Sequence, residues 1–103
     1  MKLIAVTTTV ATREQAQALA RALVELRLAA CVQISAIESV YRWDGVVQDE
    51  SEFRLVCKTT AACYPALEAA IRERHGYTLP QIVASVLDPV YPPYAAWVEA
   101  QCG

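Results

Sequence analysis

A chain of 103 residues with a net charge of −2 is enough for one domain with a real core, and its composition is 55% hydrophobic and 19% charged. Average domains run at about 45–50% and about 25%, so this small domain carries an apolar surplus that reads as subunit interface. Neither a basic patch nor a Lys/Arg-rich tail is present, which argues against nucleic acid as a main partner.

The chain opens apolar, Met1-Lys2-Leu3-Ile4-Ala5-Val6, but the run breaks at Thr7-Thr8-Thr9. That is too short for an export segment, and no stretch approaches the ~20 apolar residues of a membrane span. A cytoplasmic setting is therefore expected. Residues 2–10 read as a central strand. Thr12 with Gln15 forms a capping box, and Ala16, Leu19, Ala20, Leu23 and Val24 then recur on one helical face until about residue 28.

Residues 30–60 read as two long strands folded at Asp44-Gly45, a pair suited to a type I′ turn because both residues must take positive φ. A two-residue loop there sets Trp43 against Val46, Glu52 against Ile37 and Lys58 against Cys31. Each strand would be a dozen or more residues, against the usual five or six or so, and so long a ribbon must project from a domain of this size. Glu50-Ser51-Glu52 interrupts the alternation and suggests a bulge.

Thr59-Thr60 is expected to cap a second helix to about residue 74, buried through Cys63, Leu67, Ala70 and Ile71, with Pro65 in its first turns. Gly76 suits a left-handed position after that helix. A strand over residues 81–87 and a helix over 94–101 complete a single domain, 1–103. The order βαββαβ plus a C-terminal helix is the ferredoxin-like α+β arrangement, an antiparallel four-stranded sheet with both main helices on one face.

That fold hosts many functions, so residues must decide. Copper metallochaperones of this shape need Cys-x-x-Cys after the first strand, where this chain has Thr7-Thr8-Thr9-Val10. Acylphosphatases need a catalytic Asn, and the sequence has no Asn. RNA-recognition motifs need stacked aromatics on the central strands, and Phe53 is the sole Phe. The four cysteines, Cys31, Cys57, Cys63 and Cys102, form no Cys-x-x-Cys pair and read foremost as reduced, buried thiols.

Ala29-Ala30-Cys31-Val32-Gln33, Ser39-Val40-Tyr41-Arg42-Trp43-Asp44-Gly45, Glu52, Lys58-Thr59, His75-Gly76-Tyr77 with Pro80, and Tyr94-Ala95-Ala96-Trp97 occur in that order. Together they resemble the CutA family of divalent-cation-tolerance proteins over nearly the whole chain. The resemblance implies a homotrimer similar to the PII signalling proteins, with hairpin strands pairing between subunits, no enzymatic reaction, and a role in tolerance to divalent metals, copper above all. It also implies a metal site built on a Cys near the end of the first strand and a His-His pair. Here Thr8 stands near that Cys and Arg74 replaces the first His, leaving His75, with Cys31 as a second thiolate candidate. One imidazole is a poor copper site, since tight binding wants two or more nitrogen or soft ligands.

Each candidate has a plainer reading. His75 at a helix end also caps carbonyls, and Cys31 also serves as a small buried hydrophobe. Glu52, Lys58, Tyr41 and His75 would line a small-ligand cleft between subunits, or Glu52 and Lys58 would form an ion pair at the seam. Tyr41 and Trp43 either pack across an interface or stack on a ligand, and Tyr94 and Trp97 form an i, i+3 pair that docks on the sheet or a neighbour. Three functions remain: metal tolerance with copper or another divalent ion, a PII-like module binding a small ligand or protein partner, and a weak hydrolase using Glu52, Lys58 and His75.

Overall fold

A computed structural model describes residues 2–103; Met1, the start of the N-terminal apolar run, lies outside the described residues. The elements are β1 (Leu3–Val10), α1 (Arg13–Glu25), β2 (Cys31–Trp43), β3 (Val46–Thr60), a 3-10 turn (Ala61–Cys63), α2 (Tyr64–Arg74), β4 (Val83–Leu87) and α3 (Pro92–Gln101). The strands form one antiparallel sheet in the order β2-β3-β1-β4. This is the expected ferredoxin-like arrangement.

β1 lies at the centre because both its faces are apolar or small. Ile4, Val6 and Val10 pack with Ala16, Leu19 and Leu23 of α1, Leu55 and Cys57 of β3, and Leu67, Ala70 and Ile71 of α2. Strand alternation turns Leu3 the other way, where it meets Val98 of α3, with Tyr94 and Leu87 against them. The two main helices thus share one face and α3 covers part of the other. Burial pushes the Cys57 thiol up to about 12, which makes it an inert core residue. All four cysteines are free, but only Cys57 is fully buried.

Thr12 caps α1 with the full capping box: Gln15 N–H donates to Thr12 Oγ1 at 3.1 Å, and Thr12 N–H donates to Gln15 Oε1 at 3.2 Å. Val24 does not join the buried face of α1, being 42% exposed. The chain leaves α1 through Arg27, whose φ of 59° is left-handed. Its side chain donates to the carbonyls of Gly103 at 3.0 Å and Ala100 at 2.8 Å, tying the end of α3 to the end of α1.

The hairpin register is the one Asp44-Gly45 dictates: Trp43 faces Val46, Ile37 faces Glu52 and Cys31 faces Lys58. Asp44 at φ 51° and Gly45 at φ 77° supply the two positive-φ residues of the turn. β3 joins β1 only from Phe53 onward, so seven residues of each hairpin strand overhang the sheet, a length of about 24 Å.

Four local expectations give way to tertiary demands. No bulge forms at Glu50-Ser51-Glu52; pairing with β2 runs unbroken, and Glu50 and Glu52 find the Tyr41 and Tyr77 hydroxyls on one face without an extra residue. Thr59 and Thr60 stay in β3 against Ile4 and Leu3. Thr59 Oγ1 donates to the Leu28 carbonyl at 2.7 Å rather than capping a helix, and α2 starts only at Tyr64 with Pro65 in its first turn. Gly76 does not take positive φ; the helix instead ends in extended backbone at His75, φ −82° and ψ 142°. β4 is shorter than residues 81–87, and α3 begins two residues early because Pro92 tolerates the first helical position. Among the described residues, no helix is long and apolar enough to cross a membrane.

Candidate functional site

Where the hairpin overhangs β1, the segment after α2 folds back beneath it and leaves a cleft of about 540 Å³. Tyr41, Trp43 and Glu52 form its hairpin wall, Tyr77 and Leu79 the opposite wall, and Thr9 lies at its floor. Alternation explains the hairpin wall: Ser39, Tyr41 and Trp43 on β2 face Glu50, Gln48 and Val46 on β3, so one face collects aromatic rings and carboxylates. A larger hollow of about 780 Å³ between α1 and β2 is lined largely by solvent-facing helix residues and contains none of the candidate residues.

Glu52 is the most buried charged side chain of the site, 8% exposed. Tyr77 donates its hydroxyl to Glu52 Oε2 at 2.7 Å. Burial, and then the bond to Glu52, hold the Tyr77 phenol well above its ordinary value. Tyr41 donates likewise to Glu50, and that bond, more than burial, raises its phenol.

His75 anchors this segment to β1. Nε2 lies 2.8 Å from the Thr9 carbonyl and 3.2 Å from Thr8 Oγ1, while Tyr77 N–H donates to Nδ1 at 3.0 Å. An Nδ1 that accepts leaves the proton on Nε2, so the partners select the neutral Nε2–H tautomer. Burial lowers the His75 value, opposed by the Thr9 carbonyl and Glu52. The Tyr77 ring packs beside the imidazole with centroids 5.0 Å apart.

This arrangement fits a tight transition-metal ion badly. Thr8 does stand next to His75, but a hydroxyl is a weak partner for copper, and both imidazole nitrogens already hold hydrogen bonds. Cys31 lies two strands away from β1, at the level of Ala5 rather than Thr9, on the order of 13 Å further along the sheet. Among the described residues no group of three or more His, Cys, Asp or Glu side chains converges to hold a metal.

The candidates therefore fall into two sets. Tyr41, Trp43 and Glu52 share the cleft, with His75 supporting its far wall. Cys31, Lys58, Tyr94 and Trp97 gather at the opposite end of the sheet. There Lys58 faces Cys31 and donates to Gln33 Oε1 at 3.0 Å, and Tyr94 stacks on Trp97 with centroids 5.7 Å apart. Burial and then Cys31 raise the Tyr94 phenol. Lys58 is six residues from Glu52 along β3, about 20 Å, and no ion pair joins them among the described residues. Sequence reasoning passed over Tyr77 and Leu79 as cleft residues; the available signal was that a buried Glu52 needs a donor, which a Tyr two residues after His75 supplies.

Comparison with known proteins fits this geometry. The model of the CutA1 divalent ion tolerance protein family matches residues 4–101. The divalent-cation tolerance protein CutA of Thermus thermophilus is 41% identical over 92% of this chain and 93% of its own length. The mouse Protein CutA is 40% identical over 81% of this chain, which spans 48% of the mouse protein. The crystal structure of CutA1 from Oryza sativa superposes with a TM-score of 0.97 at 33% identity, covering 100% of this chain and 95% of that one. With its hairpin register, sheet order and near-complete family match in agreement, this chain belongs to the CutA1 family of divalent ion tolerance proteins.

Proposed function

We propose that this chain works as a homotrimer in the response to divalent metal ions, in the cytoplasm and without catalysing a reaction of its own. The observation that carries the trimer is the overhang. Its strands expose Val40 (70%), Trp43 (51%), Val46 (57%) and Val47 (59%) to solvent, on both faces of the ribbon. A lone domain that left such a ribbon bare would present an apolar patch and two unpaired strand edges.

Light scattering at micromolar concentration tests this reading. The expected species has three times the 11.3 kDa chain mass, and a single species at the mass of one chain refutes it. The part that metal plays is tested by titration calorimetry with copper(II), copper(I) and zinc. The donor set around His75 predicts weak binding. An affinity no tighter than millimolar assigns the tolerance role to a signal or partner rather than to direct capture of the ion.

A second reading has its own observation: the aromatic-walled cleft suits a PII-like module that binds a small ligand. A thermal-shift screen of nucleotides and metabolites tests it, since a ligand of the folded state raises the melting temperature. A hydrolase built on Glu52, Lys58 and His75 has no support within one chain, where Lys58 lies at the far end of β3 from the other two.

A further inference from the structure

We propose that His75 and Tyr77 form a strut that braces the root of the overhanging hairpin and aims it for assembly, which makes the end of α2 a positioning element of the subunit interface. The proposal rests on the trimer reading and says how a single chain is prepared for it.

The hairpin needs a brace before it meets a neighbour. β1 ends at the Val10–Phe53 pair, and beyond that pair residues 37–43 and 46–52 form a ribbon of two strands only. A two-stranded ribbon is marginal on its own and twists more freely than a wider sheet. A swing of about 10° at the root would carry the tip, about 24 Å away, through about 4 Å. A docked neighbour fixes that angle afterwards, but a ribbon already held at the right angle loses less entropy on association.

Among the described residues, one side-chain hydrogen bond reaches the ribbon from the rest of the chain. The Tyr41–Glu50 and Arg42–Gly45 bonds stay within it, so they tie the ribbon to itself and cannot set its angle. Tyr77 donates to Glu52 Oε2 at 2.7 Å, and Glu52 is the innermost overhanging residue, adjacent to the last partner of β1. Glu52 is buried, so water competes poorly for its carboxylate and the bond is strong.

Tyr77 is itself held. Its N–H donates to His75 Nδ1 at 3.0 Å, and the two rings pack together. His75 Nε2–H donates in turn to the Thr9 carbonyl at 2.8 Å. Thr9 pairs with Arg54, two residues from Glu52 along β3. The path Thr9–His75–Tyr77–Glu52 thus leaves the sheet on β1 and returns to it on β3, spanning the point where the β1 ladder stops. Every link lies within one chain and has its partner, so a neighbour packing on the ribbon needs to break none of them.

The test refolds the whole chain from denaturant and applies pulses of hydrogen exchange before the concentration-dependent assembly step, which light scattering follows. The quantity read is the early protection of the paired amides of residues 37–43 and 46–52, relative to that of the Phe53–Thr60 ladder. Tyr77→Phe deletes the bond to Glu52, and His75→Leu deletes both ring nitrogens. Each should lower this relative protection about tenfold and slow assembly several-fold. Because the links act in series, the double variant should lose no more than the worse single variant. Thr12→Ala weakens the start of α1 and should leave the relative protection unchanged, which separates a strut from general loss of stability. The strut is overturned if the unaltered protein shows no early protection of the ribbon, if folded Tyr77→Phe and His75→Leu variants keep it, or if their losses multiply in the double variant. Lost protection with an unchanged assembly rate overturns the role in assembly. A mass of one chain at every concentration brings down the trimer reading and the assembly role together, while the protection pattern still decides whether the strut holds the ribbon.

Discussion

Tyr77→Phe isolates the electrostatic centre of the cleft. The substitution keeps the ring beside His75 and deletes only the hydroxyl that donates to Glu52 Oε2 at 2.7 Å. Glu52 is 8% exposed, so water only partly replaces the lost donor. A hydrogen bond to a charged group is worth about 1.5–3 kcal/mol, and a buried acceptor left without its partner forfeits a similar amount. A destabilisation of about 2 kcal/mol is expected. At about 4 °C per kcal/mol for a domain near this size, the melting temperature should fall by about 8 °C. Thermal unfolding followed by circular dichroism reads this directly, with protein concentration held fixed because an oligomer's midpoint depends on it. Tyr41→Phe is the matched control, since it removes the same kind of bond, to Glu50, at a more exposed place on the same face of the hairpin. It should leave the midpoint unmoved. Equal shifts in the two variants would show that burial of Glu52 is not what gives the Tyr77 bond its value, and the reasoning would fail.

Other consequences are as direct. Thr12→Ala removes the hydroxyl that accepts from Gln15 N–H, while the backbone bond from Thr12 N–H to Gln15 Oε1 can persist, and should cost about 1 kcal/mol in denaturant unfolding, with an unchanged slope. Arg27→Ala removes the two side-chain bonds to Ala100 and Gly103; hydrogen exchange in α3 should accelerate while that of β1 stays protected. Burial holds the His75 ring below its ordinary value, so the unfolded chain binds that proton more readily and stability rises with pH. The neutral ring's contribution is complete above about pH 6.5 and is lost as pH falls from there through the lower folded value; His75→Gln should flatten the slope in that acid window, and an unchanged slope would discount the assignment. At Gly45, φ is 77° and an added Cβ would meet nothing within 4 Å, so Gly45→Val should strain only the turn; if the proposed trimer forms through the hairpin, light scattering should show its assembly lowered more than helix content.

Local chemistry that nothing overrides was legible from the sequence. Asp44-Gly45 set the register of a 13-residue strand against a 15-residue one, because a two-residue turn leaves no freedom once its φ signs are given. Thr12 and Gln15 were legible for the same reason, being both local and solvent-exposed. Thr59-Thr60 misled because a capping residue and a β-branched strand residue are the same letter; the ladder to β1 and the Leu28 carbonyl decided between them. Gly76 misled because helix termination there is carried by the His75 ring bridging to β1, a contact between residues 66 and 67 positions apart. The cleft was half legible. Tyr41, Trp43 and Glu52 share a face by strand period alone, whereas Tyr77 reaches Glu52 only because α2 ends where β1 does, which no local pattern records.

The period of two also gives the ribbon two chemically different faces. Along the overhang Ser39, Tyr41 and Trp43 point with Val46, Gln48, Glu50 and Glu52 to one face, while Val40 and Val47 point to the other. The first face carries the rings of the cleft with Glu50 and Glu52, and the second carries Val40 and Val47 among Glu38, Arg42, Asp49 and Ser51. A slip of one residue would exchange the two sets and turn Tyr41 and Trp43 away from Glu52. The overhang has no β1 beside it to hold register. That task falls to the turn at one end and to the Phe53–Thr60 ladder at the other. The left-handed pair at Asp44-Gly45 is therefore as much a part of the site as Glu52, although it lies at the far tip of the hairpin.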